Sequence, residues 1–273
     1  MNVTEYVPLV DTTRDELRER ITQARDRFDR LVRSADPLAR PRGSDWTVQQ
    51  LVAHVLTGAH RYRDFVRHGD YHRAATPGGV AGFNQMELEA AMAPIPELAD
   101  QLKALAQEMD SFFDSSTNDP TTIPFHAGGV IDGITSQTNW LGELLLHGQD
   151  VARAVKVPWA LPERDMLLVA RGVMQIAPAY LRSGISPDAD VCVAFQSPGS
   201  RPYLIHIHHG TLETHERRPD DRPDAVLRLP ASTLTQLLYQ RIGPFSAIGR
   251  GLRIVGGRRV WVALKLMSYF EPA

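Results

Sequence analysis

Glu143 and His147 lie four residues apart in the stretch WLGELLLHGQDVARA. On a helix this spacing places the two side chains on one face, as neighbours across a single turn. At about 100° per residue, the pair borders the apolar arc that contains Trp140, Leu144 and Val151. A carboxylate and an imidazole beside a buried face must be paired, hydrogen-bonded or metal-bound, because burial without a partner costs several kcal/mol.

A second candidate ligand, His54, lies on the apolar stripe of another predicted helix, which begins at a capping box formed by Thr47 and Gln50. Catalytic zinc sites use three His or carboxylate ligands and leave one position open for water or substrate. His54, Glu143 and His147 supply such a set if their two helices face each other. The alternative is a hydrogen-bonded core, in which Glu143 satisfies His54 and His147 bonds to a local group.

Asp150 lies one turn beyond His147 in the same predicted helix. Its carboxylate could orient a ligand imidazole from outside the metal site, as such carboxylates often do, or it could pair with Arg153. We favour an ion pair at the surface or between helices.

Further candidates lie in alternating segments of the second half. His206 and His208 share a strand face, but no carboxylate accompanies them at a recognised ligand spacing, so a solvated strand is favoured over a metal site with His209 or His215. Cys192 is the single cysteine, which excludes an internal disulfide. It lies in the strand-like VCVAF and is expected to be buried rather than reactive, since no electropositive surroundings are visible.

Four long amphipathic helices are predicted for the first half, which is the outline of an all-α four-helix bundle. Residues 69–96 are rich in Gly and Pro and form a long excursion with a short helix near 84–92. The four long helices are expected from Thr13 to about Ala35, from Thr47 to about Arg67, from Glu97 to about Ser115, and from after Gly129 to about Val155.

Beyond Pro158 the pattern changes to that of an α+β domain, so the predicted domains are 1–160 and 161–273. A helix over 162–180 precedes four short segments, VCVAFQS, YLIHIHH, TLETHE and DAVLRL, which alternate like antiparallel strands. A helix capped by Ser232, a loop GPFSAIGRG and a strand LRIVGG follow. We expect the closing segment RRVWVALKLMSYF to be a helix, whose apolar positions are Val260, Leu264, Met267 and Phe270.

The bulk composition is that of a globular protein with no bias towards polyanions. The 273 residues are 43% hydrophobic and carry a formal net charge of −2, so nucleic acid is not an expected partner. The N-terminus lacks the features of a signal peptide, and no apolar run approaches the roughly 18 residues that a membrane span needs. We therefore expect a cytoplasmic protein with no membrane partner.

Two segments resemble the signatures of a known family. WTVQQLVAHV on the second predicted helix and GELLLHGQDVARAV on the fourth are similar to the two signatures of the mycothiol-dependent maleylpyruvate isomerase family, a branch of the DinB-like metalloproteins. Members often join the bundle to a C-terminal domain similar to sterol carrier protein 2, and DAVLRLPASTLTQLLYQR and LRIVGG fit that domain. The resemblance implies a divalent metal, usually zinc, held by His54, Glu143 and His147.

The resemblance also implies an enzyme that uses a low-molecular-weight thiol, mycothiol, as nucleophile towards a small electrophile such as maleylpyruvate. The outcome is cis-trans isomerisation or S-transfer, and the same ligands serve both. Arg241, Arg250 and Arg253 are candidates to hold the carboxylates of an acidic substrate.

Two other classes of function are considered. The alternative to an enzyme is a protein that binds an apolar ligand or lipid and holds a structural metal in the bundle; a metal-free protein used for interaction is a third possibility. The apolar residues that could line a C-terminal cavity are Leu237, Leu238, Ile248, Leu252, Val260 and Leu264.

Overall fold

The computed structural model describes residues 11–41, 43–119 and 122–271. The chain forms two compact units: a helical unit, Thr12–His126 with Val130–Leu161, and a C-terminal unit centred on Pro162–Ala273. Within the described ranges, no helix combines the length and the apolar character that crossing a membrane requires.

The helical unit contains four long helices and one shorter helix. α1 and α2 each contact both α4 and α5. A hairpin of two-residue strands, which the sequence did not predict, precedes the last long helix. The elements are α1 (Arg14–Ser34), α2 (Val48–His68), α3 (Val80–Ala90), α4 (Ile95–Ser116), β1 (Ile123–Pro124), β2 (Val130–Ile131) and α5 (Gly133–Ala154).

The start of α2 confirms the predicted capping box. The Thr47 hydroxyl accepts the N–H of Gln50 at 3.3 Å, and the Gln50 side-chain oxygen accepts the N–H of Thr47 at 2.8 Å. Two otherwise unpaired donors are satisfied in this way, so the helix begins at a defined residue. His54 then lies two turns inside the helix and is buried.

The C-terminal unit is α+β, as predicted, and its five-stranded sheet has the order β5-β4-β3-β6-β7. The prediction that its strands are antiparallel is wrong for one pair, because β6 runs parallel to β3. The loop after β5 crosses back past β4 and β3, so β6 pairs with the edge of β3 that β4 does not occupy and runs in the same direction as β3. The elements are α6 (Glu163–Ile176), β3 (Asp190–Gln196), β4 (Tyr203–His208), β5 (Thr211–Glu216), β6 (Ala225–Arg228), α7 (Ala231–Leu238), α8 (Pro244–Gly249) and β7 (Arg253–Gly256).

Three local predictions in this unit are wrong. The expected loop GPFSAIGRG contains α8, and Ser232 lies inside α7, after Pro230, where its N–H and hydroxyl both bond to the Glu163 carboxylate. The closing segment forms two 3-10 turns, Val260–Leu264 and Leu266–Tyr269, instead of one α-helix. Leu264 is 65% exposed whereas Phe270 is buried, so the apolar stripe on which the helix prediction rested does not form one buried face.

Candidate metal centre

His54 on α2 and Glu143 and His147 on α5 offer ligand atoms that all lie within 4.8 Å of one another. Glu143 Oε2 lies 3.7 Å from His54 Nε2 and 3.3 Å from His147 Nε2. Ligand atoms around a tetrahedral zinc ion are separated by about 3.3 Å, since zinc–nitrogen bonds are about 2.0–2.1 Å long. These three residues, called the helical triad below, therefore fit a divalent ion with only small movements.

The electrostatics of the helical triad favour metal binding. Burial lowers the pKa of His54 to about 3, the charge of His147 adds to this effect, and Glu143 opposes it. Burial acts to raise the pKa of Glu143, but the hydrogen bond and charge of His147 and the charge of His54 outweigh it and lower that pKa to about 2. Near neutral pH, His54 is thus a neutral imidazole and Glu143 a carboxylate, the forms that coordinate metals.

Two side chains lie next to the histidines of the helical triad. Asp150 Oδ2 lies 3.4 Å from Nδ1 of His147, so the two groups are close enough to form an ion pair, and the orienting role of Asp150 stays a prediction. The Trp46 ring lies 4.9 Å from the His54 ring, and its Nε1 donates to Gln85 Oε1 at 2.7 Å. Trp46 immediately precedes Thr47, the N-cap of α2. This position next to the helix start is the sequence signal that could have identified Trp46 as a neighbour of His54.

The turn of α5 that carries His147 is packed by the segment after the helix. Trp159 Nε1 donates to the carbonyl of Leu145 at 2.9 Å, and the Arg27 guanidinium lies 4.3 Å from the centre of the Trp159 ring. A Cβ at Gly148 would lie 2.2 Å from Trp159. Only glycine therefore permits this close approach, and the indole fixes the turn next to His147.

The three arginines proposed for substrate binding lie in the C-terminal unit. Arg253 Nη1 donates to the carbonyls of Ile248 at 3.0 Å and Leu252 at 2.8 Å. Arg250 is exposed and Arg241 is half-buried. Their contact with a substrate stays a prediction.

His206 and His208 form a second histidine group, on the outer face of β4. His206 Nε2 lies 2.8 Å from Asp190 Oδ1, and His208 Nε2 lies 3.3 Å from Glu213 Oε1. These four residues are called the strand cluster below. The sequence did not reveal the two carboxylates, because they come from the neighbouring strands β3 and β5.

The strand cluster does not converge as the helical triad does. Of the residues that the structure describes, only the helical triad brings three potential metal ligands together. Cys192 is buried as predicted, and burial together with nearby carboxylates, that of Asp224 first, raises the pKa of its thiol to about 11. A reactive thiolate is therefore not favoured there.

The C-terminal unit contains an apolar cavity of about 50 Å³. Of the six lining residues proposed from the sequence, only Leu238 borders this cavity, whereas Ile248 is 45% and Leu264 is 65% exposed. The other lining residues include Val173, Tyr180, Ile205, Leu266 and Phe270.

Comparisons with known proteins agree with this architecture. The crystal structure of the mycothiol-dependent maleylpyruvate isomerase is 14% identical, with a TM-score of 0.50 over 85% of this chain and 93% of that chain. The crystal structure of a histidine-to-alanine mutant of that isomerase is 13% identical, with a TM-score of 0.51 and the same coverage. This likeness shows the fold, a helical N-terminal region followed by a sheet-containing domain.

The sequence comparisons identify a known domain in the first half of the chain. No curated protein sequence matches the chain. Residues 21–152, which include all three residues of the helical triad, match the mycothiol maleylpyruvate isomerase N-terminal domain. The chain therefore carries, at residues 21–152, a domain of the type described as the mycothiol maleylpyruvate isomerase N-terminal domain.

Proposed function

We propose that this protein is a metal-dependent enzyme that uses a low-molecular-weight thiol to attack a small electrophile. The observation that carries the proposal is the convergence of His54, Glu143 and His147 from two helices inside the matched domain. The proposal includes a DinB-type bundle at residues 1–160 and a domain like sterol carrier protein 2 at residues 161–273.

The residues of the helical triad have distinct roles. When bound there, a divalent ion, zinc by preference, lowers the pKa of a coordinated thiol so that thiolate is available near neutral pH. His54 and His147 contribute imidazole nitrogens, and Glu143 contributes a negative charge. Asp150 keeps Nε2 of His147 directed at Glu143, and the low exposure of His54, at 6%, limits the access of water.

Mycothiol is the proposed thiol, because the matched domain is named for its use. In isomerisation, the sulfur–carbon bond forms at a conjugated cis double bond, the former double bond rotates as a single bond, and the sulfur leaves again. In S-transfer, the sulfur instead displaces a leaving group and stays on carbon. The triad supports both, and Arg241, Arg250 and Arg253 are the proposed carboxylate-binding groups in the C-terminal domain.

A second candidate function is the binding of an apolar ligand, which the C-terminal cavity favours. Its lining is largely apolar, but its volume of about 50 Å³ is far below the several hundred Å³ that small-molecule sites usually have. The cavity would have to widen to hold a lipid, so this function ranks below the thiol-dependent enzyme.

The test combines metal content with thiol consumption. Purified protein is analysed for zinc and then assayed with mycothiol against conjugated cis acids and against electrophiles that carry a leaving group. We expect about one zinc ion per chain and thiol-dependent turnover of at least one class, both lost in His147→Ala and kept in His68→Ala, which alters an exposed histidine. Turnover without metal, or the absence of both, would contradict the proposal, and displacement of a fluorescent fatty acid then tests the second candidate.

A further inference from the structure

His126 is a buried imidazole with one unused donor. It is 3% exposed, and its Nδ1 accepts the N–H of Ala74 at 3.0 Å. A neutral imidazole that accepts at Nδ1 carries its hydrogen on Nε2. That Nε2 is buried and has no hydrogen-bond partner among the described residues. Burial of a donor without a hydrogen-bond partner destabilises the folded protein, so the fold holds this group in place at a cost.

α2 and α5 are also in contact beyond the helical triad. The Tyr62 hydroxyl donates to the carbonyl of Ser136 at 2.8 Å, and Asn139 Nδ2 lies 3.4 Å from the Tyr62 hydroxyl. His54 contacts Glu143, and Tyr62, later in α2, contacts Ser136, earlier in α5. The two helices are therefore antiparallel where they touch.

Arg61 and Asn139 extend the polar face of these two helices beyond the helical triad. Arg61 lies seven residues after His54, two turns along the same face of α2, and Asn139 lies one turn before Glu143 on α5. The antiparallel arrangement places both residues on the same side of the triad, Arg61 about 10 Å along α2 from His54 and Asn139 about 6 Å along α5 from Glu143.

His126 and Arg61 flank the same aromatic ring. The His126 ring packs edge to face on Phe83 with the centroids 5.6 Å apart, and the Arg61 guanidinium lies 5.8 Å from the centre of that ring. Arg61 also bonds to Glu87 and to Asn84, so α3 fixes its position.

His126 is neutral near pH 7. Burial lowers its pKa to about 4, with a further contribution from the charge of Arg61, and Glu143 acts in the opposite direction. His126 can therefore offer a hydrogen on Nε2 without carrying a charge.

We propose that the Nε2–H of His126, with Arg61 beside it, binds a carboxylate of the electrophile on which the helical triad acts. Nδ1 of His126 already accepts a hydrogen bond from Ala74, and an arginine has no acceptor atom. Both groups can therefore only donate, and they favour an anionic oxygen over a cation. A separation of about 5–10 Å matches an acid of about four to six carbon atoms whose reactive carbons reach the triad. The inference rests on the proposed function. It assigns a binding site to the carboxylate end of the substrate, whereas the reactive carbons lie at the triad.

Two substitutions separate the donor from the rest of the imidazole. His126→Asn keeps an acceptor near the position of Nδ1 for Ala74 and removes the Nε2 donor, whereas His126→Gln keeps a donor near the position of Nε2. The probes are maleate and its dimethyl ester, each titrated calorimetrically into zinc-loaded protein without thiol. Zinc content and thermal unfolding are measured on the same samples.

We expect His126→Asn to weaken maleate binding about 10- to 100-fold, to leave the ester little changed and to retain its zinc, while His126→Gln recovers most of the affinity. Arg61→Gln, which leaves His126 intact, should weaken maleate about 10-fold and serves as a second variant if His126→Asn does not fold. An ordered water on Nε2 instead of substrate predicts equal maleate binding by wild type and His126→Asn, which would overturn the inference.

Other outcomes also decide the matter. Failure of the wild type to bind maleate overturns the inference, as does an equal loss of maleate and ester binding in a variant that keeps the thermal stability of the wild type. Because maleate binding is measured without thiol, it is independent of turnover. A protein that binds maleate through His126 but consumes no thiol would contradict the proposed function alone.

Discussion

The helical triad and the strand cluster contain the same kinds of side chain in different arrangements. In the triad, both imidazole Nε2 atoms approach one oxygen, Oε2 of Glu143, at 3.7 and 3.3 Å. In the strand cluster each imidazole has a carboxylate of its own, at 2.8 and 3.3 Å. The triad histidine side chains are 8% and 14% exposed, whereas those of the strand cluster are 31% and 27% exposed.

The difference follows from the secondary structure that carries each group. Two facing helices direct side chains towards a common point, whereas residues i and i+2 of a strand project side by side from one face. The rings of His206 and His208 lie only 4.4 Å apart, but each Nε2 has a different carboxylate as its partner. The strand histidines therefore find partners on neighbouring strands, and their side chains are more exposed to solvent than those of the triad. A metal ion gains most where ligands converge and where water competes least.

Removal of a triad histidine should have the largest effect. His54→Ala or His147→Ala should weaken zinc binding on the order of 10²- to 10³-fold, since binding of about 10–16 kcal/mol at four-ligand sites is about 2.5–4 kcal/mol per ligand. The double variant His206→Ala with His208→Ala is the matched control and should retain full affinity. Competition with a chromogenic chelator measures both, and an equal loss in the control would remove the distinction between the two groups.

Glu143→Gln should have the next largest effect. The amide preserves the shape of the side chain but removes its charge, so zinc should weaken by roughly 100-fold and thiol-dependent turnover should fall with it. Glu213→Gln makes the same change in the strand cluster and should alter neither. If Glu143 is only a hydrogen-bonded core residue, its variant will keep metal and turnover, and that result would refute the ligand assignment.

Acid should test the burial of histidines in the helical unit. The pKa of His126 is about 4 against an ordinary value of 6.5, so the unfolded chain binds the proton more readily than the folded chain between these values. Above pH 6.5 His126 is neutral in both states, so it does not make the free energy of unfolding depend on pH. Between pH 6.5 and pH 4 its protonation in the unfolded chain lowers the free energy of unfolding by about 3 kcal/mol, and below pH 4 there is little further change. Urea unfolding of metal-free protein at several pH values should show a smaller decline for His126→Asn.

The control for this pH experiment is His68→Asn, which removes an exposed imidazole from α2. A pH profile of His126→Asn that runs parallel to that of the wild type would show that His126 is not held neutral by burial.

Asp150→Asn should have the smallest of these effects. Loss of a carboxylate that orients a ligand imidazole costs about 10- to 100-fold in metal affinity, so zinc should bind more weakly but still bind. Asp190→Asn is the corresponding change beside His206 and should leave zinc affinity unaltered. The same chelator competition measures both variants, and unchanged affinity in Asp150→Asn would show that Asp150 does not orient His147.

The sequence predicted the helices of the triad well, because their signals are local. A capping box defines the start of α2, and the spacing of Glu143 and His147 on one helix indicates a shared face. What the sequence did not reveal depends on neighbours distant in the chain. The carboxylates beside His206 and His208 come from other strands, and the orphaned Nε2 of His126 is apparent only once Ala74 packs against its other nitrogen.

The errors in the C-terminal unit have related causes. Hydrophobic alternation identifies a strand but not its direction, so the parallel pairing of β3 and β6 could not be read from it. The closing segment has apolar residues at several spacings, and its buried residues are Val262 and Leu266 together with Phe270, the one buried member of the predicted stripe. Ser232 resembled a helix cap, but Pro230 and the Glu163 carboxylate determine how α7 begins.

X-ray absorption at the zinc edge tests the metal centre most directly. Wild-type protein loaded with one equivalent of zinc should show two imidazole ligands, with the remaining ligands oxygen, and His54→Ala should show one imidazole. The double variant His206→Ala with His208→Ala should give the wild-type spectrum. A spectrum that is the same for wild type and His54→Ala, or a zinc ion that loses its imidazoles when the strand histidines are removed, would contradict the assignment of the helical triad as the metal site.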